Sequence, residues 1–270
     1  MNTAQATQDR RIDVLGVGVS VVTPREAMTL VEQWICWRTQ RYVCITGAHG
    51  VMESRLDERL RDILNQAGMV TADGMSLVWF SRLVRKAPVE RVYGPDLMRA
   101  LTSISPGRGY RHFYYGGPPG LAEKLKQAME AAYPGVTIVG TLAPPFRELT
   151  PPEDNAAVAQ INAVCPDIVW VGLSTPKQEF WMADHIGRID APVMIGVGAA
   201  FDFLAGTKRQ APLWMQRSGL EWLFRLATEP RRLWRRYAYI VPGFALLTIR
   251  ELVARAFRIG PPHADTVGQK

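Results

Sequence analysis

DIVWVGLSTPKQEFWMADHIGRIDAPVMIGV, residues 167–197, reads as one strand–helix–strand unit. Asp167–Leu173 is an apolar run of strand length. Ser174-Thr175-Pro176 ends it, and a helix follows from Pro176 to about Ile186. Val193–Val197 is a second apolar strand. Upstream, Tyr110–Tyr115 reads as a strand, GGPPG (116–120) as a turn and Leu121–Ala132 as a helix. Val136–Thr141 is a strand, APPFRELTPP (143–152) a proline-rich loop, and Glu153–Val164 a helix. From 110 to 198 the order is therefore βαβαβαβ. That order predicts an α/β fold: a Rossmann-like parallel sheet with helices on both faces.

Towards the N-terminus the same alternation continues. Residues 12–22, IDVLGVGVSVV, read as one strand. Thr23-Pro24-Arg25-Glu26 has the form of a capping box with proline at the first helical position, opening a helix to about Trp37. Tyr42–Thr46 is a strand, His49–Gln66 helical in two pieces, and Met69–Ala72 a short strand ending at Asp73-Gly74. Residues 75–85 and 95–104 read as helices. After Thr207 the pattern is helical only. The expected organisation is an α/β core over 1–206, a helical appendage over 207–260 and a disordered tail over 261–270.

Composition narrows the class. The chain has 270 residues, 47% of them apolar, enough for a substantial core. Three cysteines without a CxxC spacing, Cys36, Cys44 and Cys165, argue against a zinc site and fit a reducing compartment. The polar start MNTAQATQDRRID does not read as a signal peptide. The net charge of +7 is concentrated at one end: eleven Lys and Arg fall between Lys208 and Arg258, against Glu221, Glu229 and Glu251. This points to an anionic partner for the C-terminal segment, a membrane or a nucleic acid. The longest apolar run there, YAYIVPGFALLTI (237–249), has 13 residues with Pro242 inside it, short of the roughly 20 of a membrane span.

In an open α/β sheet, ligands bind beyond the carboxyl ends of the strands. Those ends deliver Thr46, Asp73, Gly116-Gly117, Ser174 to Gln178, and Gly198 to Asp202. Asp73 suits either a general base or a turn aspartate capping the next helix. Arg91 has the planar fork that matches a diphosphate, and it also reads as an ordinary surface arginine. Gly116 and Gly117 present backbone N–H groups to a phosphate, or simply make a tight turn. Gln178 reads as a pocket residue or as solvation of a helix start. Phe201 is either a ring stacking on a base or a core phenylalanine, and Asp202 offers a carboxylate for ribose hydroxyls. No complete G-x-G-x-x-G, P-loop, DxD or HxH pattern is present, so no cofactor and no metal are expected. In the appendage, Trp214, Trp222, Trp234, Tyr237 and Tyr239 stand among arginines. That mixture suits a membrane surface, or aromatics packing the appendage on the core beside a solvated basic face.

Five separated stretches carry a resemblance: TADGMSLVWF (71–80), RVYGPDL (91–97), YYGGPPGLAEKL (114–125), VGLSTPKQEFW (171–181) and the segment 196–237. In this order they resemble the WecG/TagA/CpsF family, glycosyltransferase family 26, from about Ile12 to Tyr237. The resemblance implies an inverting, metal-independent glycosyltransferase on the inner face of the cytoplasmic membrane, held there peripherally. It implies a UDP-sugar donor and a polyprenyl-diphosphate-linked acceptor, in the biosynthesis of exopolysaccharide or another surface polysaccharide. Asp73 becomes the catalytic base, Arg91 a ligand of the donor or lipid phosphates, and Thr46 and Gln178 pocket residues. Arg225, Arg231, Arg232 and Arg235 reach the lipid diphosphate. The family usually reads Thr-x-Asn after the second strand; here Ala48 replaces the asparagine, and His49 is the polar side chain left beside it, suited equally to a pocket, core or capping role. This departure and the 171–179 variant resemble the exopolysaccharide glucosyltransferases of the family, which implies UDP-glucose as donor. The alternatives are an N-acetylmannosaminyl- or N-acetylmannosaminuronyltransferase of the same family, a Rossmann enzyme modifying nucleotide sugars or, outside the class, a nucleic-acid-binding protein using the basic tail. The transferase reading expects no nucleic-acid partner, and it allows a homo-oligomer in solution.

Overall fold

A computed structural model describes residues 10–85 and 87–258. The expected tail 261–270 and most of the polar N-terminal stretch lie outside the described residues. At the centre is a six-stranded sheet formed by β3 (Arg41–Thr46), β4 (Met69–Ala72), β5 (Arg111–Gly116), β6 (Thr137–Leu142), β7 (Ile168–Gly172) and β8 (Val193–Gly196). The spatial order is β4-β3-β8-β7-β5-β6 and every pairing is parallel. The α/β expectation holds. The apolar strand read at Asp167–Leu173 is β7, hydrogen-bonded to β5 on one side and β8 on the other.

Period-two alternation sorts the strand residues between two core layers. Val169 and Val171 face one layer with Cys44, Val70 and Tyr115. Ile168 and Trp170 face the other with Val43, Ile45 and Tyr114. Helices α1 (Pro24–Cys36), α5 (Gly94–Arg108), α6 (Leu121–Ala132) and α9 (Ala200–Leu204) cover the second layer. Helices α3 (Glu58–Gln66), α4 (Met75–Phe80), α7 (Pro151–Ala163) and α8 (Lys177–His185) cover the first. Between β3 and α3 lies the short α2 (Ala48–Ser54), and α4 runs on into a π-helical turn, Ser81–Arg85. The capping box at Thr23 forms as read, with Thr23 Oγ1 accepting from the Glu26 amide and Glu26 accepting from the Thr23 amide.

Two expectations are corrected. Residues 12–22 do not form one strand. They fold into an antiparallel hairpin, β1 (Arg11–Val14) and β2 (Val17–Ser20), turning at Leu15 (φ 54°) and Gly16 (φ 99°). Positive φ at both loop residues is what a two-residue hairpin turn demands, and Leu-Gly is an uncommon pair for it. The second correction concerns the C-terminal run. After α10 (Leu213–Arg217) and α11 (Glu221–Thr228), one helix, α12, extends through Pro230–Arg258 without stopping at Pro242. Its 29 residues span about 43 Å at 1.5 Å each. By length and composition, Pro230–Ala254 suffices to cross a membrane, so the 13-residue apolar run understated it. One face of α12, through Leu233, Ile240 and Phe244, packs onto the core. Phe244 meets Phe80 with ring centroids 6.0 Å apart. The other face leaves Tyr239, Leu246, Ile249 and Val253 exposed.

Candidate active site

A cavity of about 660 Å³ opens at the carboxyl ends of β3, β4 and β8, where the strand-end rule places a ligand. The sheet contributes its floor through Gly47, Asp73, Val197 and Gly198, and the appendage closes it with Glu221, Trp222, Arg225, Arg236 and Tyr237. The cavity has two characters. At the sheet end it is polar and charged. Along α12 it becomes an apolar corridor between the turn after α4 and the long helix, lined by Phe80, Leu83, Phe244, Ile249 and Leu252.

Asp73 stands on the floor, one residue beyond β4. Its amide donates to the Thr46 carbonyl (2.8 Å), which fixes it against the end of β3. Burial, then the negative charge of Glu221, push its carboxyl up to about 6. Arg91, Arg225 and the Gly94 amide act in the opposite direction. A carboxylate titrating near 6 is a stronger base than an ordinary aspartate and is still ionised at neutral pH, which suits proton abstraction from a hydroxyl.

Arg91 is not on the cavity wall. It stacks over the Tyr93 ring at 3.9 Å, and its donors are engaged. Nε donates to the Asp73 backbone carbonyl (2.6 Å), one terminal nitrogen to Gln216 Oε1 (3.0 Å) and the other to Glu221 Oε2 (2.7 Å). Its fork thus grips the appendage. The cations that do line the cavity are Lys208, Arg225, Arg232 and Arg236. Arg232 pairs with Glu229 (2.6 Å), and Lys208 lies 3.6 Å from Asp202. Arg225 lies over Phe203, its guanidinium carbon 5.9 Å from the ring centroid. Arg231 and Arg235 are exposed and off the wall, with Arg235 resting over Trp234. Arg236 was absent from the sequence reading. Its signal was helical period: Arg232, Arg236, Ile240 and Phe244 stand four apart on one face of α12.

His49 lines the cavity at the start of α2, 3.4 Å from Glu53. Burial, then Arg236 and Arg225, lower it to about 4, so its imidazole is neutral at physiological pH. Ala48, in place of the family's asparagine, is also on the wall. Gln178 opens on the cavity too, its Nε2 donating to Glu179 Oε1 (3.1 Å), which also accepts from Thr175 Oγ1 (2.9 Å). Glu179, which the sequence reading left without a role, is fully buried, and burial raises its carboxyl. Thr46 Oγ1, Gln178 Oε1 and Glu179 Oε2 are buried with no hydrogen-bond partner among the described residues. Such atoms cost roughly 1–3 kcal/mol each when left unpaired. Of these three residues only Gln178 lines the cavity; Thr46, expected as a pocket residue, and Glu179 lie off its wall.

Gly116 and Gly117 do not line the cavity. Their φ angles are 120° and 78°; a Cβ on Gly116 would come within 2.8 Å of the Gly172 backbone, so close strand packing explains Gly116, and a Cβ on Gly117 would come within 2.9 Å of the Leu121 side chain. Phe201 is corrected as well. Its ring is buried in the core, tilted against Tyr114 at 5.7 Å and pressed beneath Gly172, and it presents no face to a ligand. The cavity aromatic from this helix is Phe203, two residues on, because Phe201 and Phe203 lie on different sides of α9. Phe201→Ala is therefore expected to lower stability by about 3–5 kcal/mol, read by chemical denaturation, as a core truncation does. Asp202 lines the rim, accepting from Thr207 Oγ1 (3.2 Å).

A parallel α/β sheet with a raised carboxylate at its carboxyl edge, in a cavity also lined by Lys208, Arg225, Arg232 and Arg236, has the form of an α/β enzyme site. The comparisons give that class its family. The sequence profile of the glycosyl transferase WecG/TagA/CpsF family matches residues 12–258, so the chain belongs to that family and is a glycosyltransferase. Among curated relatives is an N-acetylglucosaminyldiphosphoundecaprenol N-acetyl-beta-D-mannosaminyltransferase of Staphylococcus aureus strain NCTC 8325 / PS 47. It is 24% identical over 237 residues, covering 87% of this chain and 91% of the relative. The proteins of the same description from strains COL and MRSA252 match equally.

Proposed function

We propose that this enzyme transfers a sugar, with inversion, from a nucleoside-diphosphate sugar to a saccharide carried on a polyprenyl diphosphate. The observation that carries the reading is the two-part cavity. Its charged end has a base and cations for a hydroxyl and a diphosphate, and its apolar corridor along α12 matches an isoprenoid chain. In one displacement step, Asp73 takes the proton of the acceptor hydroxyl as its oxygen attacks the anomeric carbon. The bond to the donor diphosphate breaks, and Arg225, Arg232, Arg236 and Lys208 stabilise the charge that gathers there.

The relatives favour N-acetylmannosamine as the donor sugar and lipid-linked N-acetylglucosamine as the acceptor. UDP-glucose gains no support from them. It stays as the second reading on one observation, Ala48 on the cavity wall where the family pattern has asparagine. The exposed apolar and aromatic residues Trp79, Leu83, Leu213, Trp214 and Ile249, with the basic appendage, support peripheral attachment to the inner face of the cytoplasmic membrane.

The test is a matrix of UDP-sugars against polyprenyl-diphosphate N-acetylglucosamine and glucose, in detergent with EDTA. A lipid-linked disaccharide from UDP-N-acetylmannosamine establishes donor and acceptor together. Product from UDP-glucose alone transfers the assignment to the second reading. Absence of product from every pair, with tight salt-sensitive nucleic-acid binding, overturns the function.

A further inference from the structure

Arg91 and its partners do more than brace a loop. One cluster of polar contacts between the appendage and the core lies beneath the cavity, centred on Arg91. Glu221, at the first turn of α11, accepts from Arg91 through Oε2 (2.7 Å) and from the Tyr93 hydroxyl through Oε1 (3.0 Å). Gln216 of α10 accepts a second arm of Arg91 (3.0 Å), and its own Nε2 donates to the Ala211 carbonyl (2.8 Å). The remaining arm of Arg91 reaches the backbone carbonyl of Asp73 (2.6 Å). The turn before Glu221 is seated separately: Gly219 has φ 69°, and a Cβ there would come within 2.4 Å of the Trp79 ring. Two independent contacts thus fix the register of α11 on the core. The Glu221–Arg91 pair is partly buried on both sides, with 20% and 15% of the side chains exposed.

We propose that Glu221 is a positioning residue, which holds Arg91 against the backbone of Asp73 and so ties the placement and electrostatic surroundings of that carboxylate to the docked appendage. This rests on the reading of Asp73 as the base. An unseated appendage removes Glu221, Gln216 and the cavity cations at once, and the reactive carboxylate is then left without its frame. Arg91 transmits this contact and does not itself bind the donor. The groups facing Asp73 are Glu221 and Arg225 from α11, Arg91, the Tyr93 hydroxyl and the Gly94 amide. Tyr237 of α12 also feels the charge of Glu221. Glu221 is the negative charge in this set that works against ionisation of Asp73.

The test compares kcat/KM against pH for the full-length enzyme in detergent and for Glu221→Gln, with Asp73→Asn as the reference. Activity requires ionised Asp73, so it is present above the titration of that group and lost as pH falls through it. In Glu221→Gln the acid limb should move down by about one pH unit. At neutral pH kcat should fall about tenfold, with donor KM within about twofold. If the substitution also releases the appendage, seen in the near-ultraviolet signal of its tryptophans, Asp73 loses burial as well and the limb moves further down. An unmoved limb overturns the proposal in either case. A loss confined to donor KM also overturns it, because Arg91 would then be contacting substrate. The Arg91→Gln/Glu221→Gln double variant should lose no more kcat than the worse single variant, as expected of residues acting through one another; additive losses count against it. Unimpaired turnover by Asp73→Asn would remove the base assignment itself, whereas an inactive Asp73→Asn beside an unmoved Glu221→Gln limb would remove only the role of Glu221.

Discussion

Asp73→Asn is expected to lower kcat by about 10²–10⁴-fold while leaving the donor's dissociation constant within about twofold, measured by single-turnover kinetics and by calorimetry with UDP. The amide keeps the shape of the side chain and loses the proton acceptor. Asp73 titrates near 6, so wild-type activity should fall below that pH and reach its plateau above about 7. The same shift has a consequence for stability. The folded protein holds this proton more firmly than the unfolded chain, whose aspartate titrates near 3.8. Between those values stability falls as pH rises, because ionising the group costs more in the folded state. Asp73→Asn should therefore be more stable than wild type at pH 8, by roughly 1–3 kcal/mol, and equal to it at pH 4. A variant that is inactive and less stable at pH 8 would mean that Asp73 holds the fold together rather than serving as the base.

Arg225→Ala is the second large effect. Arg225 stands on the cavity wall between Asp73, His49 and Phe203, and it lowers the titration of both Asp73 and His49. Its removal should cost about 10²–10³-fold in kcat/KM, the scale set by losing one preorganised group that meets developing charge. The acid limb should move up, opposite to Glu221→Gln, because a positive neighbour of the base has gone. Arg231→Ala, whose side chain points away from the cavity, should retain donor turnover within about twofold in detergent. Equal losses in the two variants would show that the appendage arginines act through net charge alone.

The sequence by itself determined the sheet and much of the site's outline. Alternation of apolar strands with helical segments is a local property, and local spacing alone gave the order of elements from Tyr110 to Val197. The strand-end rule then selected Asp73, Gln178 and Asp202 without any contact being known, and all three line the cavity. Local pattern was weakest where backbone or helix face decided the outcome. Leu15 offered no glycine-like signal for its positive φ, and residues 12–22 therefore read as one strand. Phe201 and Phe203 are equally aromatic; only the seating of α9 against Gly172 sends one ring into the core and the other to the cavity. The tertiary structure alone decided what Arg91 does. Its partners Gln216 and Glu221 lie 125 and 130 residues further along the chain, and periodicity carries no information across such a separation. A charged side chain takes its meaning from the partner that folding brings to it, and here that partner comes from the appendage that closes the cavity.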